Sequence, residues 1–267
     1  MLLHMAERTE RPFYGEFAWA FDLLIDRPVA KDCAAISKWL IERGHMPGAT
    51  LLDAGCGTGR YAIELSRRGY VLTGIDRSSE LIDVAIQSAR DSERPGSPAF
   101  RTGDILRLPT ARYDAILCRG VLNDLVDDAS RLAACASFAG ALRTGGTLIL
   151  DVREWEATKE RKQREPLFRK RVATDRGTLT FTSITDVDPE SHRLLVSETH
   201  TLDDGAGERS RQYQFTMRCW TRRELHAALT RFGFGTVAYF GAFDPAIEAG
   251  ATDRLIAVAC LTRATVS

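Results

Sequence analysis

Three glycines separated by single residues, in Leu51-Leu52-Asp53-Ala54-Gly55-Cys56-Gly57-Thr58-Gly59-Arg60, constrain this chain more than any other stretch. They follow a short apolar run suited to a buried parallel strand. They precede a helical pattern from Arg60 to Arg68 that carries Ala62, Ile63 and Leu65. Glycine lets the backbone turn tightly at such a place, and lets a ligand approach the main chain unobstructed. A dinucleotide fingerprint needs two residues between its second and third glycines, whereas Gly57 and Gly59 are separated by one. The spacing disfavours a nicotinamide-dependent oxidoreductase.

Four further apolar segments follow: Val71–Asp76, Phe100–Ile105, Tyr113–Gly120 and Leu142–Asp151. Their alternation with helical patterns implies right-handed crossovers and a parallel sheet whose ligands lie at the C-terminal strand ends. Asp76 ends its segment, where a carboxylate can accept both hydroxyl hydrogens of a ribose. Ser78-Ser79-Glu80 opens a helix over 81–89 with a serine cap and an acid beside the helix dipole, and residues 92–98 read as a loop. Before the sheet, the apolar spacing over 13–43 predicts two helices. After Asp151 a charged, helical segment is expected to reach Arg171, followed by β segments over 179–187, 194–202 and 212–220 with turns at 188–191 and 203–207. Thr221 and Glu224 have capping-box spacing and open a helix through Phe232; strands over 236–240 and 254–260 close the pattern.

These five elements, in this order, resemble the class I S-adenosylmethionine (SAM) dependent methyltransferases. The resemblance implies a Rossmann-like α/β fold with a mostly parallel seven-stranded sheet. Its parts would be an N-terminal helical cap (1–47), a SAM-binding core (48–151), an antiparallel β lid insert (152–220) and a C-terminal return to the core (221–267). An insert there, with helices before the first strand, is similar to glycine N-methyltransferase and to bacterial methyltransferases of amino sugars and other small metabolites. The implied cofactor is SAM, held by Asp53, Gly55, Cys56, Gly57 and Gly59. Asp76 would take the ribose, with Arg77 and Ser78 beside it, and Asp104 with Ile105 the adenine; Arg119, ending the fourth strand, would also contact SAM. An aromatic face near the sulfonium would favour its charge and exclude water, and Tyr14 is the choice among Tyr14, Phe17 and Trp19.

The segment Gly120-Val121-Leu122-Asn123-Asp124 departs from the Asn-Pro-Pro-aromatic pattern of DNA and protein amide methyltransferases, which argues against those substrates. Asn123 or Asp124 could orient an acceptor or take its proton, and either could instead cap the next helix. Of the histidines, His200 is the candidate proton acceptor; His4, His45, His192 and His226 read as structural or solvated. The basic run Lys159–Glu165, continued by Arg169–Arg171, reads as a solvated helix face, or alternatively as a means of recognising a phosphorylated or carboxylated acceptor.

Lysine plus arginine and aspartate plus glutamate both number 36, so net charge offers no case for nucleic acid or membranes. Six scattered cysteines form no Cys-x-x-Cys pair, and no histidine or cysteine spacing suggests a metal. With no signal-like run in Met1–Arg11 and no bilayer-length apolar segment, the expectation is a cytoplasmic enzyme methylating nitrogen or oxygen on a small molecule. The insert could also pair subunits into a homo-oligomer. A SAM-binding protein without transfer activity, serving regulation or assembly, is the competing expectation.

Overall fold

The computed structural model describes residues 11–91, 96–110 and 112–262; His4 and residues 92–95 of the expected loop lie outside them. Helices α1 (Phe21–Leu24) and α2 (Val29–Glu42) precede an alternating core: β1 (Thr50–Ala54), α3 (Arg60–Arg67), β2 (Val71–Asp76), α4 (Ser79–Asp91), β3 (Ala99–Thr102), β4 (Tyr113–Arg119), α5 (Asp128–Ala141) and β5 (Leu142–Arg153). Then come α6 (Trp155–Arg164), β6 (Leu167–Thr174), β7 (Gly177–Asp188), β8 (Arg193–Asp203), β9 (Glu208–Arg218), α7 (Arg222–Arg231), β10 (Phe234–Phe240) and β11 (Arg254–Leu261).

The large sheet runs β10-β11-β5-β4-β1-β2-β3, with β11 antiparallel to its neighbours and the others parallel. Both faces are covered, which is why β4 and β11 read as nearly unbroken apolar runs. Leu52, Ile116, Leu148 and Leu150 pack with Phe138 of α5 and Leu225 of α7 on one side. Leu51, Leu117, Ile149 and Val258 pack with Ile36, Trp39 and Leu40 of α2 on the other. Strand order reverses between β1 and β4, so a crevice opens above their C-terminal ends, where the glycine loop follows β1.

The insert is a separate antiparallel sheet, β6-β7-β8-β9. Its first strand corrects the expectation of a helix through Arg171: α6 ends at Arg164, and Leu167–Thr174 pairs residue for residue with β7. Pro166 ends the helical option, because proline disfavours helical backbone at the residue before it. α6 is also not wholly a solvated face, since it buries Trp155, Thr158 and Lys162 on one side.

The N-terminal segment corrects a second expectation. Phe13 to Ile25 is not one helix but two 3-10 turns, Pro12–Tyr14 and Ala18–Ala20, running into the four-residue α1. Tyr14, Phe17 and Trp19 therefore lie on or beside turns. Phe13, Phe17 and Leu24 are nonetheless buried, packed with Leu179, Phe181 and Leu202 on the inner face of the insert. The segment is the wedge on which the lid sheet rests.

Candidate functional site

The glycine loop takes the backbone its sequence demands. Gly55, Gly57 and Gly59 all have positive φ, at 79°, 55° and 77°. A Cβ on Gly55 would collide with Val121, and one on Gly59 would lie 2.6 Å from the Phe100 ring. The amides of Gly55 and Cys56 donate to the Ile75 carbonyl, at 2.8 and 2.9 Å, which pins the loop to the end of β2.

Asp76, at that strand end, accepts from Gly57 N at 2.9 Å through Oδ2 and from Ser78 N at 3.0 Å through Oδ1. Each oxygen keeps a second lone pair, as two ribose hydroxyls would require. Burial raises the Asp76 carboxyl above the usual carboxylate range, against the pull of those amides. Ser78 is buried; its hydroxyl caps α4 by accepting from Leu81 N at 2.9 Å and donates to the Tyr14 carbonyl at 2.5 Å. Asp104 accepts from Leu106 N with Oδ1, leaving Oδ2 free, and Ile105 beside it is buried. The Arg77 side chain is exposed, and its positive charge opposes the rise of the Asp76 carboxyl.

The cleft is lined by the loop together with Asp53, Phe21, Arg27, Arg60, Tyr61 and Arg119. Asp53 is 3% exposed, and burial pushes its carboxyl up to about 7, with Arg119 opposing the rise. Arg119 is held rather than free. Its guanidinium lies 3.6 Å from the Tyr61 ring centroid and 4.5 Å from that of Phe243, and pairs with Asp32 at 3.3 Å and Asp151 at 3.4 Å. Arg254 also pairs with Asp151. Among the described residues Arg27 has no carboxylate within ion-pair distance, although Asp151 acts on it at longer range, and desolvation holds its guanidinium below the usual arginine value. An unpaired arginine on the wall of a cleft fits a ligand carboxylate.

The N-terminal segment is strapped across this cleft. Thr58 Oγ1 donates to Asp22 Oδ1 at 2.8 Å, Arg60 Nε pairs with the same oxygen at 2.9 Å, and Arg60 Nη2 donates to the Ile25 carbonyl at 2.9 Å. At the other end Tyr14 stands between Asp76 and Asp124. Its hydroxyl accepts from Arg11 Nη1 at 2.8 Å and donates to Asp124 Oδ2 at 3.3 Å. Arg11 in turn grips Glu198 of β8 through both carboxylate oxygens, at 2.9 and 2.5 Å. Lid, strap and post-β4 loop are thus joined by one polar chain. Desolvation raises the Asp124 carboxyl, with Arg11 opposing the shift.

Asn123 and His200 are placed differently from Asp124. Asn123 is buried; its Oδ1 accepts from Arg153 N at 2.9 Å, and its carbonyl accepts from Arg218 N at 2.8 Å. Its side chain braces the loop against β5 and the end of β9. His200 is fully buried between Phe13, Phe17 and Phe181, with Nε2 3.7 Å from Glu198 and neither ring nitrogen hydrogen-bonded. It lies beyond Arg11 and Glu198 in the polar chain, away from direct contact with Asp124.

Sequence reasoning missed Arg11, Asp22, Arg27 and Asp32. None sits in a motif, and each acquires its role from partners distant in the chain. The acid Asp22 within an apolar run, and Arg27 before Pro28, were the available signals.

Known proteins bear on this geometry in two ways. Residues 51–146 match the family model described as a methyltransferase domain. Magnesium-protoporphyrin O-methyltransferase of Synechocystis is 35% identical over 89 residues, covering 33% of this chain and 38% of that protein. The chain thus spans less than half the length of the curated relatives it matches. Over nearly the whole chain, the fold superposes on a SAM-dependent methyltransferase from Clostridium acetobutylicum, with TM-score 0.77, 18% identity and 94% and 99% of the two chains covered. It also superposes on the sugar N-methyltransferase from Streptoalloteichus, with TM-score 0.75, 18% identity and 92% and 93% covered. The glycine loop and the acid ending β2 both lie within the matched segment: residues 51–146 match a methyltransferase domain.

Proposed function

We propose that this protein binds SAM in the cleft above β1 and β4 and transfers its methyl group to a nitrogen or oxygen of a small-molecule acceptor enclosed by the lid. The observation that carries the reading is Asp76, fixed by Gly57 N and Ser78 N with two lone pairs left at the strand end, beside a loop of three positive-φ glycines and the unpaired Arg27. SAM would supply the activated methyl as a sulfonium. Asp76 would hold its ribose, Asp104 and Ile105 its adenine, and Arg27 its carboxylate, while Tyr14 presents an aromatic face.

The chain's own part in transfer is alignment, which can contribute roughly 7 to 11 kcal/mol in favourable cases. Asp124 is the candidate proton acceptor, and Tyr14 and Arg11 set its position. The strap and lid would exclude water, as a small acceptor requires. That the Streptoalloteichus protein is a sugar N-methyltransferase, and the Synechocystis relative an O-methyltransferase, supports a small-molecule acceptor without choosing its atom.

The test is incubation with methyl-labelled SAM and a panel of amino sugars, sugar nucleotides, amino acids and phenols, followed by mass spectrometry. Labelled product is expected on one class. SAM binding with no label on any acceptor would favour a non-catalytic SAM-binding protein, and no SAM binding would end the proposal.

A further inference from the structure

The end of β5 and the buried side of α6 carry more positive charge than the fold uses. Arg153 and Arg161 share one carboxylate oxygen, Asp253 Oδ2, at 3.0 and 2.7 Å. Lys162 is 8% exposed, and among the described residues its ammonium has no hydrogen bond and no carboxylate within ion-pair distance. The charges acting on it are Arg161 of its own helix, Glu165 just beyond that helix, Arg153 of β5, and Asp253 of the segment before β11. Glu165 is itself turned outward and paired with Arg164 at 3.2 Å. Three cations therefore face one part-exposed carboxylate, and withdrawing an ammonium from water without a partner is costly. Burial pushes Lys162 down to about 8, with Arg161 and Arg153 adding to the fall.

The cluster adjoins the proposed reaction site. Arg153 N is fixed by Asn123, and the Arg153 charge acts on the Asp124 carboxylate. α6 lies against β7 of the lid, so the three cations stand where lid and core meet.

We propose that Arg153, Arg161 and Lys162 form an anion subsite for the acceptor, so that the molecule methylated beside Asp124 carries a phosphoryl or carboxylate group. The inference rests on the methyltransferase reading for what the subsite serves. Arg161 and Arg153 supply planar donors suited to a bidentate grip, and Lys162 a point charge in a water-poor setting.

Calorimetric titration of the full chain with sulfate, standing for a phosphoryl group, and with succinate, standing for a carboxylate, tests this, with SAM titrated in the same preparations. Neither anion changes charge between pH 7 and pH 9. Saturable binding of at least one is expected, and the stronger arm identifies the acceptor's anion. Lys162→Met should weaken it by about tenfold or more, the loss for one buried charge-assisted hydrogen bond, while Lys38→Met on the exposed side of α2 leaves it unchanged. Wild-type affinity should fall by up to about tenfold between pH 7 and pH 9 as the ammonium deprotonates, and the Lys162→Met titration should be flat. SAM binding with no saturable anion, or with equal anion affinity in wild type and Lys162→Met, overturns the inference alone. Absence of SAM binding removes the methyltransferase reading, and the inference with it.

Discussion

Replacing Asp76 by Asn separates the cofactor assignment from general damage to the fold. In the native cleft both oxygens accept a backbone amide, at 2.9 and 3.0 Å, and each retains one lone pair for a ribose hydroxyl. Asparagine keeps one such oxygen and places an amide NH2 where the other stood, so one backbone N–H and one hydroxyl lose their acceptor. A hydrogen bond to a charged group contributes about 1.5–3 kcal/mol. SAM affinity should therefore fall roughly 10- to 150-fold by calorimetry at pH 7.5. Melting of the ligand-free protein should show only the smaller loss of one loop contact. Because burial raises the Asp76 carboxyl, acidification should weaken wild-type SAM binding from a pH above the usual carboxylate range, while Asp76→Asn stays flat over that interval. SAM affinity for Asp76→Asn within threefold of wild type would refute the ribose assignment.

Gly55→Ala places a Cβ against Val121 at a backbone angle that L residues resist, and should lower stability by about 1–3 kcal/mol in denaturant titration. Asp124→Asn should reduce kcat by about 10² or more in the labelled-methyl assay while leaving SAM affinity within a few-fold; an unchanged kcat would remove Asp124 as proton acceptor. Asn123→Ala should act on stability first, costing about 1–3 kcal/mol through the orphaned Arg153 amide, read as a fall in melting temperature. Lys162→Met should stabilise the ligand-free protein at pH 7 by up to about 3 kcal/mol, because the native ammonium titrates near 8 rather than at its ordinary 10.5. Between those values the unfolded chain holds the extra proton, so wild-type stability rises with pH and the variant's advantage should shrink towards pH 10.5.

Local chemistry was legible in the sequence, and long-range partnership was not. The glycine loop, the acid ending β2 and the Thr221–Glu224 capping box each depend on residues a few positions apart, and each took the expected form. The seven-stranded sheet followed because buried parallel strands are apolar along their length. Strand β6 was missed because Arg169, Lys170 and Arg171 extend the charge pattern of α6. Its position at the sheet edge leaves most of its side chains partly or fully exposed, so apolar alternation is weak. The N-terminal segment misled differently: Phe13, Phe17, Phe21 and Leu24 have helical spacing, but Gly15 interrupts it and burial comes from the lid sheet. Tyr14 and Asp124 were named separately, while Arg11, which joins them to Glu198 in the insert, became visible only when residues 187 positions apart met. Lys162 read as part of a solvated face because sequence gives no sign that Arg153 of β5 and Asp253 before β11 come near it.

The most direct measurement is titration of the purified wild-type chain with SAM, with NAD as comparator. A structure in which Gly55, Gly57 and Arg27 line one cleft and Asp76 is bonded to Gly57 N predicts saturable binding of one SAM per chain and no heat from NAD beyond dilution. Saturable NAD binding, or SAM heats no larger than those of buffer, would contradict it.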